Sequence, residues 1–268
     1  MAVQRYVSNK MKYNKVLLKD PWISPYVPET LWFSVTALKD MLSVYPTVFV
    51  KPNSNHRGNQ ILRIRNVSQQ EPRSQKKSLY ELCYSYKKEV KTCSLEEVIE
   101  EVVNEIKLNE KFIVQQGIDL ATFGGLPFDL RILMHKPEER WQISGWLARV
   151  AKKGQIVTNH IRGAKAMPLD HVLKDNSHLN STDLMIKLGD LAHQISQALG
   201  SYFDLRILAL DMAVDKNGKL WFIEMNSDPM FRKMFKEIGN KEMVANVIHI
   251  RNYIIKKYKY TKSKKKVK

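Results

Sequence analysis

The stretch ALDMAVDKNGKLWFIEMNSDP, residues 209–229, decides how this chain is read. Asn217-Gly218 is the strongest short hairpin signal in it, because both residues of a two-residue turn must tolerate positive φ. With those two as the loop, Lys216 pairs with Lys219, Asp211 falls across from Glu224, and Asn226 falls across from Ala209. Side chains alternate along a strand, so Ala209, Asp211, Ala213, Phe222, Glu224 and Asn226 are expected on one face. The other face then carries Leu208, Leu210, Met212, Val214, Trp221, Ile223 and Met225, an apolar set fit for a core. Like charges directly opposed across two strands destabilise the pair. Two arrangements relieve that cost: the acids splay into solvent on an outer face, or a cation sits between them. Two carboxylates and an amide, all oxygen donors, suit magnesium, which takes a few protein oxygens and completes its octahedron with water and phosphate.

Around this hairpin lies a chain of 268 residues, enough for one large domain or two interlocked lobes. Its hydrophobic content of 44% and mixed charge fit a globular protein, with no run near the roughly 20 apolar residues of a membrane span. The opening MAVQRYVSNKMKYNK has no apolar run of the signal-peptide kind. Cys83 and Cys93 stand apart from any CxxC or Cys/His cluster and are expected to be free thiols in a reducing cytoplasm. The seven histidines show no zinc-ligand spacing. Net charge is +17, of which eight charges belong to the lysines of 256–268, KKYKYTKSKKKVK, leaving +9 on the rest. Such a run is expected to be a basic tail without fixed structure. It either solubilises the chain or attracts a polyanion.

Along the chain, an irregular segment through Pro28 leads into ETLWFSVTALKDMLSVYP, read as a helix with Leu31, Val35, Leu38 and Leu42 at helical spacing. TVFVKP (47–52) reads as a strand, followed by a polar loop and the strand ILRIRNV; residues 68–78 read as a surface turn. LYELCYSYKKEV alternates like one strand. Ser94-Leu95-Glu96-Glu97 is a capping box opening a helix that is expected to bury Leu95, Val98, Ile99, Val102, Val103 and Ile106. KFIVQQGI (111–118), DLRILMH, RWQISGWLARV and QIVTNHI follow as strands, then a helix over 182–199 stopping at Gly200, the hairpin, and a last helix over 241–257. Strands joined by short turns imply antiparallel sheets with helices segregated to one side, an α+β fold class.

Single residues in these segments say little alone. Lys51 ends an apolar strand before proline, where an ammonium suits a phosphate or simply faces water. Asp129 and Arg131 share a strand face, which a weak intrastrand ion pair would also explain. Taken in order, however, VPET, FVKP with its polar loop, FIVQQG, PFDLRIL, ARV…GQIVTNHIRGA and LDMAVDKNGKLWFIEMNSDP resemble the ATP-grasp superfamily over nearly the whole length. The likeness is to its YheC/YheD branch, associated with endospore coats, and more distantly to RimK-like ligases. It implies two lobes with mainly antiparallel sheets clamping a nucleotide: a reduced N-terminal segment (1–46) in place of the usual front domain, a small lobe (47–118), a large lobe (119–255) and the basic tail (256–268).

The resemblance also implies roles. Lys51 matches a lysine that contacts nucleotide phosphates. Gln115, Gln116, Gly117 and Ile118 match the hinge whose backbone reads adenine, with Asp119 as a ribose contact. Asp129 and Arg131 match an Asp-x-Arg strand, the arginine near phosphate or acyl group. Arg149 and Asn159 match residues that close on the reacting end of ATP, and Asp211, Glu224 and Asn226 match ligands of magnesium. The family's γ-phosphate goes to a substrate carboxylate, and an amine then attacks the acylphosphate; no Ser/His/Asp nucleophile is required, and none is evident. The implied partners are ATP and a small carboxylate or peptide.

Some positions depart from the pattern. Residues 53–59 contain only Gly58 where a phosphate loop is usually glycine-rich, Ala164 stands where relatives often have glycine, and Ala209 stands where some ligases have arginine. These departures keep an assembly protein of the spore coat, binding nucleotide with little turnover, beside the ligase expectation. A plain polyanion-binding protein ranks last, because it leaves the acids at 211 and 224 unexplained.

Overall fold

Two antiparallel sheets, each with its own apolar core, organise the chain in a computed structural model that describes residues 7–54, 60–68, 78–106, 110–176 and 180–258. The first element is a helix, α1 (Lys10–Leu17), in the segment expected to be irregular. Its composition hid it: Tyr13 and Leu17 supply the only apolar groups of its buried face, and Lys10 and Asn14 supply the rest. Asn9 caps it, its side chain accepting from Lys12 N–H at 2.9 Å. Strand β1 (Thr30–Trp32) comes next, so Leu31 lies on a strand and the following helix α2 begins only at Val35 (Val35–Val44).

Strands β2 (Thr47–Pro52), β3 (Leu62–Asn66), β4 (Tyr80–Tyr84), β5 (Val90–Cys93) and β6 (Phe112–Gln116) complete the first sheet in the order β1-β6-β2-β3-β4-β5. The run 79–90 is therefore two strands rather than one. Between β5 and β6, α3 (Leu95–Glu105) starts with the expected capping box. On one face of this sheet Val48, Val50, Leu62, Ile64, Leu82 and Val114 pack against α2 and α3 through Leu38, Met41, Val98 and Val102. Val103 lies beyond the edge of that stripe and is 47% exposed. Period-2 alternation leaves Phe49, Lys51 and Gln115 on the opposite face. Residues 55–59, 69–77 and 259–268, with the polar loop's Gly58, most of the surface turn and nearly all of the basic tail, lie outside the described residues.

The second sheet has the order β10-β9-β8-β11-β12, with β7 (Thr122–Phe123) added on β8 (Leu126–His135). The others are β9 (Gln142–Val150), β10 (Lys165–Met167), β11 (Ile207–Val214) and β12 (Leu220–Asn226). The run 155–161 is not a strand but a loop leading into a single 3-10 turn, His160–Arg162, and the edge strand comes later. Helices cover both faces of this sheet. Leu130, Ile132, Leu208, Leu210, Met212 and Phe222 pack with α1, α4 (Leu169–Lys174) and α5 (Ser181–Phe203). Leu133, Leu147 and Ala209 on the reverse face pack with α6 (Arg232–Glu237) and α7 (Lys241–Tyr258) through Phe235 and Val247. The expectation of helices on one side fails because the reverse face is apolar at one end. Helix α5 runs through Gly200, whose absent Cβ would lie 2.4 Å from Trp141 Cζ2, so this glycine serves close packing; the helix ends at Asp204, with φ 53. Among the described residues no helix is long and apolar enough to cross a membrane.

The hairpin itself departs from its expected geometry twice. Asp215 and Lys219 close the turn (Asp215 N–H to Lys219 O, 3.0 Å), which makes the loop three residues long, with Gly218 at φ 83. This shifts the near part of β12 by one residue: Met212 pairs with Phe222, and Val214 with Leu220. A one-residue slip turns every side chain over. Phe222 is thus fully buried against Tyr13, ring centroids 5.7 Å apart, while Trp221 and Ile223 leave the core face. A β-bulge between Asp211 and Met212 then takes up the extra residue and restores the expected pairing beyond it, Asp211 with Glu224 and Ala209 with Asn226.

Candidate functional site

A cleft opens between the free face of the first sheet and the polar end of the second sheet's reverse face. Lys51 reaches it from the last turn of β2 before Pro52 and is nearly buried. Its Nζ donates to Gln115 Oε1 at 2.6 Å; Gln115 Nε2 in turn donates to Thr30 Oγ1 at 2.9 Å, and that hydroxyl donates to Pro28 O. The Gln115 side chain therefore positions the lysine. Burial, and then the Lys10 ammonium nearby, push the Lys51 pKa down to about 8, with Glu224 and Asp211 acting in the opposite direction.

Gln116 N–H donates to Glu29 O at 2.9 Å and Gly117 N–H to Thr47 O at 2.8 Å, fastening the exit from β6 on both sides. A Cβ on Gly117 would lie 2.7 Å from Thr47 O, so only glycine allows that approach. Gln116 and Ile118 line the cleft. Asp119 does not: it is exposed, with Oδ2 2.9 Å from Lys216 Nζ and its backbone O accepting from Lys216 N–H, which ties the chain after β6 to the hairpin turn.

The odd-numbered residues of β8, β9 and β11 supply the opposite wall. Asp129 pairs across to Arg149 in strand register rather than along its own strand to Arg131. Arg149 Nε donates to Asp129 Oδ1 at 2.7 Å and its Nη2 donates to Oδ2, which also accepts from Thr158 Oγ1. Asp211 lies across from Arg131, whose Nε is 2.5 Å from Oδ1 and whose Nη2 donates to Oδ2 at 3.1 Å; Arg149 Nη2 is also 3.1 Å from Asp211 Oδ2. The four side chains form one buried alternating network. Burial raises the Asp129 pKa against the pull of Arg149, and burial lowers that of Arg131. Burial also opposes the charge of Arg149, but Asp129 and Asp211 outweigh it and hold its pKa high.

Glu224, opposite Asp211, meets a different cation. Lys10 Nζ of α1 is 3.2 Å from Glu224 Oε1, and Lys10 is only 4% exposed. Asn159 lines the cleft beside Thr158 and caps the 3-10 turn, Oδ1 accepting from Ile161 N–H at 3.0 Å. Asn226, half-buried on the face of Glu224, sits farther along β12 and outside the cleft lining. Gly117 and Arg131 stand just behind that lining.

With Arg131 just behind the lining, four cations meet three carboxylates, which leaves this wall net positive and suited to an anion. The acids also fit a divalent metal. They are opposed in register and their donors are oxygens, with Arg131 Nε, 2.5 Å from Asp211 Oδ1, as the cation a metal on that oxygen would meet. Among the described residues no three His, Cys, Asp or Glu side chains gather, so such a metal would rest on two carboxylates, with Asn226 as the remaining donor on that face. Lys10 and Thr158 escaped the sequence reading. The first lay in a segment without apolar periodicity; the second was a neighbour of Asn159 in a run taken for a strand.

A model of YheC/D-like ATP-grasp proteins matches residues 2–256. The endospore coat-associated protein YheD of Bacillus subtilis (strain 168) is 25% identical over 230 residues, 82% of this chain and 48% of that protein. The chain spans about half the length of the curated relatives it matches. Among solved structures, D-cycloserine synthetase DcsG aligns with a TM-score of 0.55 at 11% identity, covering 92% of this chain and 70% of that one. The ATP-grasp ligase PsnB, complexed with a phosphomimetic variant of its minimal precursor, Mg and ADP, aligns at 0.53 and 12% identity, covering 92% and 59%. At such identities these likenesses speak for the fold, and with the matched family model they identify this chain as a member of the YheC/D-like ATP-grasp family.

Proposed function

We propose that the chain binds Mg-ATP in the cleft and acts as an ATP-dependent carboxylate–amine ligase on a small acid or peptide end. One observation carries the reading: Lys51, Arg131 and Arg149 converge on the opposed pair Asp211 and Glu224 in a cleft walled by both sheets. Phosphoryl transfer needs positioning and charge neutralisation rather than a protein nucleophile. Gln116 to Ile118 would hold the base; Lys51, held by Gln115, would meet the phosphates. Asp211, Glu224 and Asn226 would hold magnesium, which when bound neutralises phosphate charge. A substrate carboxylate oxygen attacks the γ-phosphorus, and the bond to the β-phosphate oxygen breaks, releasing ADP. An amine then attacks the acyl carbon of the acylphosphate, phosphate leaves with the C–O bonding electrons, and the amine's proton passes to solvent. Arg149, preorganised by Asp129 and Thr158, offers its charge to the oxygens that gain negative charge.

The test is ADP release across a panel of amino acids and short peptides, in the wild type and in Asp211→Asn and Glu224→Gln. Stimulation by some acid–amine pair that both variants abolish is expected. Bound nucleotide without stimulation across the panel would refute the ligase. It would favour a second reading, a coat-associated assembly protein with little turnover, which the description of both curated relatives as endospore coat-associated supports.

A further inference from the structure

Helix α1 is fastened to both walls of the cleft. Lys10 N–H donates to Asn53 O at 3.1 Å and Met11 N–H to Asn53 Oδ1 at 3.0 Å, so its first turn is anchored to the end of β2. Just before it, Val7 N–H donates to Ser227 Oγ at 3.0 Å, beyond the end of β12. Tyr13 packs edge-on against Phe222 at 5.7 Å, fixing the helix against the second sheet's core. These contacts aim one buried side chain, Lys10, into the cleft, with its ammonium 3.2 Å from Glu224 Oε1.

We infer that Lys10 is the resident counter-cation of Glu224 and must give up that carboxylate before a divalent cation binds there. The inference rests on the Mg-ATP reading and deepens it. The opposed acids do not stand as a bare pair: Asp211 is neutralised by Arg131 and Arg149, and Glu224 by Lys10. A metal that takes a Glu224 oxygen therefore exchanges one cation for another, and its net gain is reduced by the ion pair it breaks. Lys10 and Lys51 also repel each other, which adds to burial in lowering the pKa of Lys51. An ammonium released from Glu224 is stable in that place only if an anion accompanies the metal. Metal and polyphosphate are then coupled: metal alone binds weakly, and the two together bind well.

Binding of Mn2+ as the probe ion, followed by the electron paramagnetic resonance of the free ion, tests this without any turnover. Wild type, Lys10→Met, Lys10→Gln, Lys10→Arg and Glu224→Gln are compared with Mn2+ alone and with Mn2+ plus a non-hydrolysable ATP analogue, circular dichroism checking that each variant is folded. The expected result is that Met and Gln at position 10 tighten Mn2+ binding in the absence of nucleotide by about tenfold or more, whereas Arg leaves it weak. Equal or weaker binding in the folded Met or Gln variant overturns the inference. The underlying reading fails separately, if the wild type with the analogue binds no Mn2+ that Glu224→Gln abolishes.

Discussion

Replacing Lys51 by methionine should stabilise the ligand-free protein. Lys51 is nearly buried, and its pKa falls from the ordinary 10.5 to about 8. A depression of that size corresponds to about 3 kcal/mol of unfavourable interaction with the charged form in the folded state. Methionine removes it but leaves Gln115 Oε1 without its donor, at a cost of about 1 kcal/mol. The variant should therefore be more stable near pH 7 by about 2 kcal/mol, raising Tm by about 4–8 °C for a chain of this size. The sign changes with pH. Below pH 8 Lys51 is protonated folded and unfolded, and its full penalty is present. Between pH 8 and 10.5 the unfolded chain keeps a proton that the folded protein has released, so wild-type stability from this group rises with pH. By pH 10.5 the advantage of the variant should have become a deficit of about 1 kcal/mol, the hydrogen bond alone. Urea unfolding of both proteins from pH 7 to 10.5 measures the difference directly, other groups cancelling. A variant less stable than wild type at pH 7, or a difference that does not change with pH, would refute the account of Lys51 as a charge held in the folded state against its solvation preference.

The bulged hairpin predicts an asymmetry between neighbours: Phe222→Ala should cost about 3–5 kcal/mol, and Trp221→Ala, which loses the Nε1–H bond to Asp215, about 1–2 kcal/mol. Under the unshifted two-residue turn the order would reverse, and urea unfolding decides. Asp129→Asn weakens the buried bidentate pair with Arg149 and should lower stability by about 3 kcal/mol; a loss below about 1 kcal/mol would show that Asp211 alone holds the arginine. Gly200→Ala places a Cβ 2.4 Å from Trp141 Cζ2 and should cost about 1–3 kcal/mol with a shifted tryptophan emission; a silent substitution would contradict the close packing of α5 on Trp141.

Much of the site was legible in order along the chain because its residues sit on strands, where parity is a local property. Lys51 before Pro52, Asp129 and Arg131 two apart, and Asp211 against Glu224 all follow from period-2 alternation and one hairpin. The hairpin also shows the limit of that reasoning. The turn adds one residue and the bulge takes it up, so the inference about the acids held although the turn from which it was drawn did not form. Phe222, Trp221 and Ile223 lie between the two irregularities, and there the faces were exchanged. The longer turn is favoured locally by Asp215 Oδ1, which accepts from Asn217 N–H and Lys219 N–H, and by the Tyr13 and α5 core, which buries Phe222.

The sequence by itself determined the elements whose signals are local: the capped helix α3, the strand at 47–52, the acids facing each other, and the family order of segments. The tertiary structure alone decided how charge is balanced among them. Arg149 selects Asp129 across β8 and β9 while also reaching Asp211, and Lys10, on a helix of mostly polar composition, arrives at Glu224 from more than two hundred residues away. No local pattern encodes such pairings, because a buried charge takes whichever opposite charge the packing of other elements brings within a few ångströms, and that packing is set by the apolar faces rather than by the charges themselves.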